Sequence, residues 1–171
     1  MMNREVREEW KQYLFEEGKD YTFDEAIEKV LNAIKFLKKN GVRVTANMLL
    51  DEKKADSEFH LSEMEKAGYI QAFSNMGYAI SDCKTIVKVI DVIYHWFDVT
   101  KIKAYEMAEY AANNRLTVTQ TIKDNLNVDF DEIVEFVDTV LEEMLVYTKA
   151  KTVECGKEFA EMINGLLLSL E

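Results

Sequence analysis

Oxygen-bearing side chains alternate along one short stretch, which runs from Asn125 to Glu132 and reads NLNVDFDE. Carboxylate and amide oxygens are the ligands that Ca²⁺ prefers, so the stretch could begin a calcium-binding loop. An EF-hand loop would need glycine at its sixth position and glutamate at its twelfth, but Phe130 and Phe136 stand there. We therefore interpret the stretch as a helix start, with Asp129 as the N-cap residue and Glu132 completing a capping box.

Other residue types that support catalysis are sparse in this sequence. The chain has two histidines, and His95 has no second histidine, cysteine pair or carboxylate at metal-ligand spacing. It also has no recognisable nucleophile motif and no glycine-rich phosphate loop. We name no catalytic residue, and we predict a non-enzymatic protein that uses no metal or cofactor.

Charge is the strongest compositional signal. The formal net charge is −11, and residues 82–171 hold most of it, with nine basic and seventeen acidic residues. Residues 21–81 are close to neutral, with eight basic and nine acidic residues. A field of this sign repels nucleic acid at long range and favours basic partners.

Hydrophobic periodicity predicts a mainly helical chain. Its 171 residues are 48% hydrophobic and include six glycines and no proline, which fits helices with short connections. Thr22 and Glu25 form a capping box that opens a helix ending near Lys39, and Thr117 and Gln120 form a second capping box. Other helices are predicted over residues 4–17, over 81–97, and from Thr100, Thr117 and Asp129 onward. Whether residues 130–170 form one helix or two stays open.

The stretch from Asn40 to Ser81 combines several turn and cap signals. Gly41 can end the preceding helix, and Thr45 can cap a short helix over residues 46–50. Asp56 or Ser57 can cap a further helix, which Gly68 would close. The sequence Ser74–Gly77 has the composition of a type I turn, which predicts a β-hairpin over residues 73–81.

This order of elements resembles a winged helix-turn-helix domain over residues 23–81. The resemblance is carried by Thr45, by the phrase LSEMEKAGYI at residues 61–70, and by the expected wing at residues 73–81. It implies a mainly α fold, with a winged-helix-like N-terminal half containing one small β-hairpin, followed by a helical bundle. It divides the chain into an N-terminal helix (1–22), a winged-helix-like domain (23–81) and an acidic helical domain (82–171).

The family resemblance also implies a function and a binding surface. The chain would be a DNA-binding transcriptional regulator, with its C-terminal helices serving as a dimerisation or sensor domain. Contacts to DNA would come from the turn before the third helix, from the third helix and from the wing, namely Lys53, Lys54, Ser57, His60, Ser74 and Asn75. The third helix departs from the family pattern because it carries three glutamates and no arginine.

A second surface supports a different class of function. Five carboxylates lie along the helix that follows Asp129, and we call them the acidic face: Asp131, Glu132, Glu135, Asp138 and Glu142. This face could be solvated, or it could dock a basic partner. In the second case the chain would be a protein-interaction module, or a phage-type inhibitor of a nucleic-acid-processing protein.

The remaining expectations concern location and assembly. Cys83 and Cys155 are too few and too far apart for a disulfide framework, which favours free thiols in the cytoplasm. The N-terminus lacks the apolar segment of a signal peptide, and no apolar run reaches the length of a membrane span. The apolar residues 166–168 predict packing on the core or on a second subunit, as in a homodimer formed through the C-terminal helices.

Overall fold

The computed structural model describes residues 7–16, 18–45, 53, 57–155, 158, 161, 162, 165 and 168. In chain order the helices are a 3₁₀ helix Glu8–Tyr13, α1 Phe23–Lys39, α2 Glu63–Asn75, α3 Ile80–Trp96, α4 Lys101–Asn114, α5 Val118–Leu126, α6 Phe130–Phe136, a π-helical segment Val137–Leu141, and α7 Glu142–Cys155. The described residues are thus mainly helical, and none of them belongs to a β-strand.

The chain divides into two compact units. Unit 1 comprises Met1–Asn40, Val44–Asp56 and Asp131–Glu171, and unit 2 comprises Gly41–Arg43 and Ser57–Phe130. By sequence, unit 2 has eight basic and ten acidic residues, a net charge of −2. Unit 1 therefore carries −9 of the total charge of −11.

An aromatic cluster forms the core of unit 1. The ring of Phe136 lies 4.6 Å from Phe36 of α1, 5.4 Å from Trp10 and 5.7 Å from Tyr13, measured between centroids. The Trp10 and Tyr13 rings meet Phe136 edge to face, which aromatic quadrupoles favour. The Trp10 side chain is almost fully buried in this cluster.

The acidic face belongs to a helical run that continues through a π-helical segment. Helix α6, the segment Val137–Leu141 and α7 follow one another without a break as far as Cys155. A π-helical turn accommodates an extra residue and changes the side of the helix on which later residues lie. Among the side chains of this run that the structure describes, the buried ones are Ile133, Phe136, Thr139, Val140, Leu141 and Met144.

Unit 2 is a set of helices that pack in sequence order. Helix α2 packs on α3, α3 on α4, and α4 on α5. Helix α3 corresponds to the helix predicted over residues 81–97, and Cys83, Val87, Ile90 and Ile93 are buried along it. Capping boxes form as predicted at Thr22–Glu25 and Thr117–Gln120, and the Thr100 side chain caps α4.

The β-hairpin predicted over residues 73–81 is wrong. Gly77 has φ = 101° and ends α2 in a Schellman motif, in which the Tyr78 N–H donates to Phe73 O at 3.2 Å and the Gly77 N–H to Ser74 O at 3.0 Å. The Tyr78 ring also contacts the buried Phe73 ring, at 5.8 Å between centroids. A glycine with positive φ suits both a turn and a helix end, and here helical packing of Phe73 selects the helix end.

The boundaries predicted for the helix before that glycine are also wrong. Helix α2 begins at Glu63, where Ser62 and Glu65 form a capping box that we did not predict, and it passes through Gly68. Upstream of α2, Phe59 adopts a left-handed backbone conformation with φ = 54°, which does not continue a helix. The short helix predicted over residues 46–50 lies outside the described residues, as does Asp56.

The N-terminal helix predicted over residues 4–17 is shorter and of a different type. The described part forms a 3₁₀ helix over Glu8–Tyr13, while residues 4–6 and 17 lie outside the described residues. Among the apolar residues expected near the C-terminus, Leu168 is 58% exposed. Residues 166 and 167 lie outside the described residues.

Candidate binding surfaces

Within unit 2, the residues predicted to contact DNA are spread from the segment before α2 to its last turn. His60 precedes α2, whereas Ser74 and Asn75 lie in its last turn, about 20 Å away at the helical rise per residue. The Asn75 side-chain oxygen accepts a hydrogen bond from Gln71 Nε2 at 2.9 Å. Without a hairpin there is no wing tip that could carry Ser74 and Asn75 towards a groove of DNA.

The other predicted contact residues are placed as follows. Lys53 is exposed and belongs to unit 1, whereas Ser57 is exposed and belongs to unit 2. Lys54 lies outside the described residues. DNA binding therefore stays a prediction.

His60 belongs to a small polar cluster that sequence reasoning missed. Its Nδ1 lies 3.1 Å from Asp91 Oδ2, and its ring stacks on His95 with 4.3 Å between centroids. The other Asp91 oxygen accepts a hydrogen bond from the Leu61 N–H at 2.7 Å. The members lie 31 and 35 residues apart in sequence, so no local spacing signal could have grouped them.

Arg43 has a structural role at the C-terminal end of α3. Its guanidinium donates to Tyr94 O at 3.0 Å and to Val99 O at 2.8 Å, and its backbone N–H donates to Trp96 O at 2.8 Å. The group also lies over the rings of Phe59 and Tyr94. Arg43 therefore binds the C-terminal end of α3 and is not free to bind a ligand.

An ion pair between α2 and α4 has the clearest electrostatic effect in unit 2. Lys101 Nζ lies 2.6 Å from Glu65 Oε2. This hydrogen bond, together with that from the Ser62 backbone N–H, lowers the pKa of Glu65 from 4.5 to about 2. The same pair raises the pKa of Lys101.

Three of the five carboxylates of the acidic face form no ion pair with a described residue. Of these three, Asp138 and Glu142 are exposed and Glu135 is half-buried. Glu132 differs from them, because it is paired with Arg7. Asp131 is exposed and begins the part of this helical run that belongs to unit 1.

Neighbouring residues fix how this face is presented. The opposite side of the run is buried, and Phe136 anchors it in the aromatic cluster of unit 1. Burial raises the pKa of Glu143, which follows Glu142 directly. The acidic face is thus carried by a helix whose orientation within unit 1 is fixed by packing.

The described residues contain no group of three or more histidine, cysteine, aspartate or glutamate side chains arranged to hold a metal ion. None of the helices in the described part of the chain is long and apolar enough to cross a membrane. The thiol of Cys83 is free and buried.

Comparison with protein-family models, with curated proteins and with solved structures finds no match to this chain. Its function therefore has to be argued from its own surfaces.

Proposed function

We propose that the chain is a non-enzymatic cytoplasmic binding protein that captures a basic protein partner through the acidic face of unit 1. The observation that carries the proposal is that Glu135, Asp138 and Glu142 lack ion-pair partners among the described residues. Carboxylates that are already paired offer little to a ligand, whereas these three can pair with lysine or arginine of another protein.

Long-range electrostatics support the same partner class. Unit 1 carries a net charge of −9, so its field attracts a basic protein before contact and raises the association rate. The same field opposes the approach of nucleic acid. A partner that normally binds nucleic acid would present the basic surface that this face complements.

The proposal is tested with a lysine- and arginine-rich helical peptide as the probe, because the natural partner is unidentified. Fluorescence anisotropy measures its dissociation constant for the wild type and for a triple variant, Glu135→Gln, Asp138→Asn and Glu142→Gln. A matched control neutralises three exposed carboxylates elsewhere, Glu28→Gln, Glu106→Gln and Asp124→Asn. Both variants have the same net charge, so only the position of the change differs.

We expect the triple variant to bind the peptide about 10-fold more weakly than the control does, since each ion pair at a partly exposed interface contributes up to about 1 kcal/mol. Equal affinities of the two variants would contradict the proposal, because the peptide would then respond to net charge alone. A labelled random-sequence DNA duplex is measured in parallel. Salt-sensitive duplex binding by the wild type would favour the transcriptional regulator instead.

A further inference from the structure

A groove between α2 and α3 is a concave surface of unit 2 that the acidic face does not involve. It has a volume of about 330 Å³. On α2 it is lined by Glu63, Lys66, Ala67 and Ile70, and on α3 by Lys84, Val87, Lys88 and Asp91. All eight residues belong to unit 2.

The register of the lining residues suits a third helix. On each helix they follow the spacing i, i+3, i+4, i+7, which places them along one side over two turns. The groove therefore runs parallel to a pair of helices that already pack on each other. An amphipathic helix that binds such a groove inserts side chains with the same spacing.

The floor of the groove is apolar and accessible. Val87 is buried beneath it, Ile70 is half-buried, and Ala67 is exposed. Met64, one turn before Ala67 on α2, is 85% exposed. Exposed methionine and aliphatic side chains beside a groove are typical of surfaces that bind protein helices.

The charged groups of the groove that have no partner among the described residues are cationic. Lys84 and Lys88 are exposed and form no ion pair with any described residue. Both Asp91 oxygens are already engaged, one by His60 Nδ1 and one by the Leu61 N–H. The Glu63 carboxylate lies 3.5 Å from Lys66 Nζ.

From these observations we propose that the α2–α3 groove binds an acidic amphipathic helix of a partner protein. Apolar side chains of that helix contact Ala67, Ile70 and Val87, and its carboxylates pair with Lys84 and Lys88. The apolar floor favours a helix over a nucleic acid, whose phosphates would use the lysines alone. This interface is on the other unit from the acidic face and does not depend on it.

The test uses three synthetic helical peptides of 18 residues, measured by fluorescence anisotropy against the full chain. The first has leucine at i, i+3, i+4 and i+7 and glutamate on its flanks. The second replaces each glutamate with lysine, and the third replaces each leucine with serine. We expect only the first peptide to bind, because it alone has apolar side chains for the floor of the groove and carboxylates that can pair with the lysines.

Variants of the chain locate the binding site. Lys84→Gln combined with Lys88→Gln should weaken binding of the first peptide about 3- to 10-fold, as expected for two exposed ion pairs. The control, Lys103→Gln combined with Lys123→Gln, changes exposed lysines of the same unit outside the groove and should leave affinity unchanged. Ala67→Glu should abolish binding, because it introduces a like charge onto the floor.

Three outcomes would overturn the proposal. One is equal binding of the lysine and glutamate peptides, and another is an unchanged affinity in the Lys84 and Lys88 double variant. The third is that the double variant loses binding to a single-stranded oligonucleotide while none of the peptides binds, which would assign the lysines to phosphate recognition. All of the substituted residues are exposed, so thermal unfolding should be nearly unchanged and should confirm that each variant is folded.

Discussion

At the residue scale, Arg43 stabilises unit 2 by satisfying carbonyls that the end of a helix leaves without partners. The last four carbonyls of α3 cannot bond within the helix, and two of them, at Tyr94 and Trp96, accept hydrogen bonds from Arg43. The guanidinium group is largely buried, with its side chain 13% exposed. Arginine suits this position because one planar group serves several acceptors and stacks on aromatic rings.

We expect Arg43→Met to lower the free energy of unfolding by about 2–3 kcal/mol. Methionine keeps the apolar part of the contact with Phe59 but leaves Tyr94 O and Val99 O without their charged donor. Urea denaturation measures the change. Lys103→Met is the control, since that exposed lysine should contribute no more than about 0.5 kcal/mol to the free energy of unfolding. Equal effects of the two variants would contradict the role of Arg43.

Glu65 provides a prediction about pH. Its pKa in the folded chain, about 2, lies below its ordinary value of 4.5, so its ionised form stabilises the fold. That stabilisation is complete above pH 4.5 and is lost as the pH falls from 4.5 towards 2. The principal cause is the hydrogen bond from Lys101.

Glu65→Gln should therefore reduce the dependence of Tm on pH between about pH 5 and pH 2. Glutamine can still complete the capping box with Ser62, so the helix start is preserved. Lys101→Met removes the main cause of the shift and should reduce the same dependence. If Glu65→Gln showed the full wild-type slope over this range, another carboxylate would have to account for it.

At the scale of elements, the positions of two glycines show where helix α2 ends. The sequence predicted that the helix ends at Gly68, but it continues to Asn75. Gly68 lies within α2, and a Cβ at this position would meet no atom within 4 Å. Gly77 lies after the helix with φ = 101°, in a backbone conformation that L-residues avoid. The two positions should therefore respond to alanine in opposite directions.

We expect Gly68→Ala to raise the free energy of unfolding by about 0.5–1 kcal/mol, because alanine is the better residue inside a helix. Gly77→Ala should lower it by about 1–2 kcal/mol, because alanine must then adopt a left-handed conformation. Chemical denaturation of the two single variants measures both changes. Destabilisation by Gly68→Ala would show that this glycine ends a helix, as the sequence had predicted.

Sequence patterns predicted the elements well where the signal is local. The boxes at Thr22 and Thr117 depend on residues three positions apart, and the structure confirms both. The prediction of a hairpin was wrong because a glycine after Ser74 and Asn75 can end a helix as well as a strand. Only the tertiary burial of Phe73 decides between the two structures. The carboxylates of the acidic face could be found by spacing, but whether they are paired depends on distant residues such as Arg7.

At the scale of the whole molecule, the distribution of charge lowers the stability of the folded state. Unit 1 carries −9 and unit 2 carries −2, so repulsion between carboxylates acts mainly within unit 1. Such repulsion destabilises the compact state and is screened by salt. The screening length falls from about 30 Å at 0.01 M salt to about 8 Å at 0.15 M.

We therefore expect the Tm of the wild type to rise as NaCl is increased from about 0.01 M to about 0.15 M. The triple variant Glu135→Gln, Asp138→Asn and Glu142→Gln changes the net charge from −11 to −8. It should have a higher Tm than the wild type at the lower salt concentration and a smaller increase on adding salt. Differential scanning calorimetry at the two concentrations measures both quantities.

This result also bears on how the acidic face is interpreted. If neutralising these residues stabilises the chain while weakening its capture of a basic peptide, the carboxylates oppose folding and serve binding. That combination is expected of residues retained for recognition rather than for stability. If the variant is instead less stable at both salt concentrations, the three carboxylates contribute to the fold, and the loss of peptide binding would no longer identify them as the contact surface.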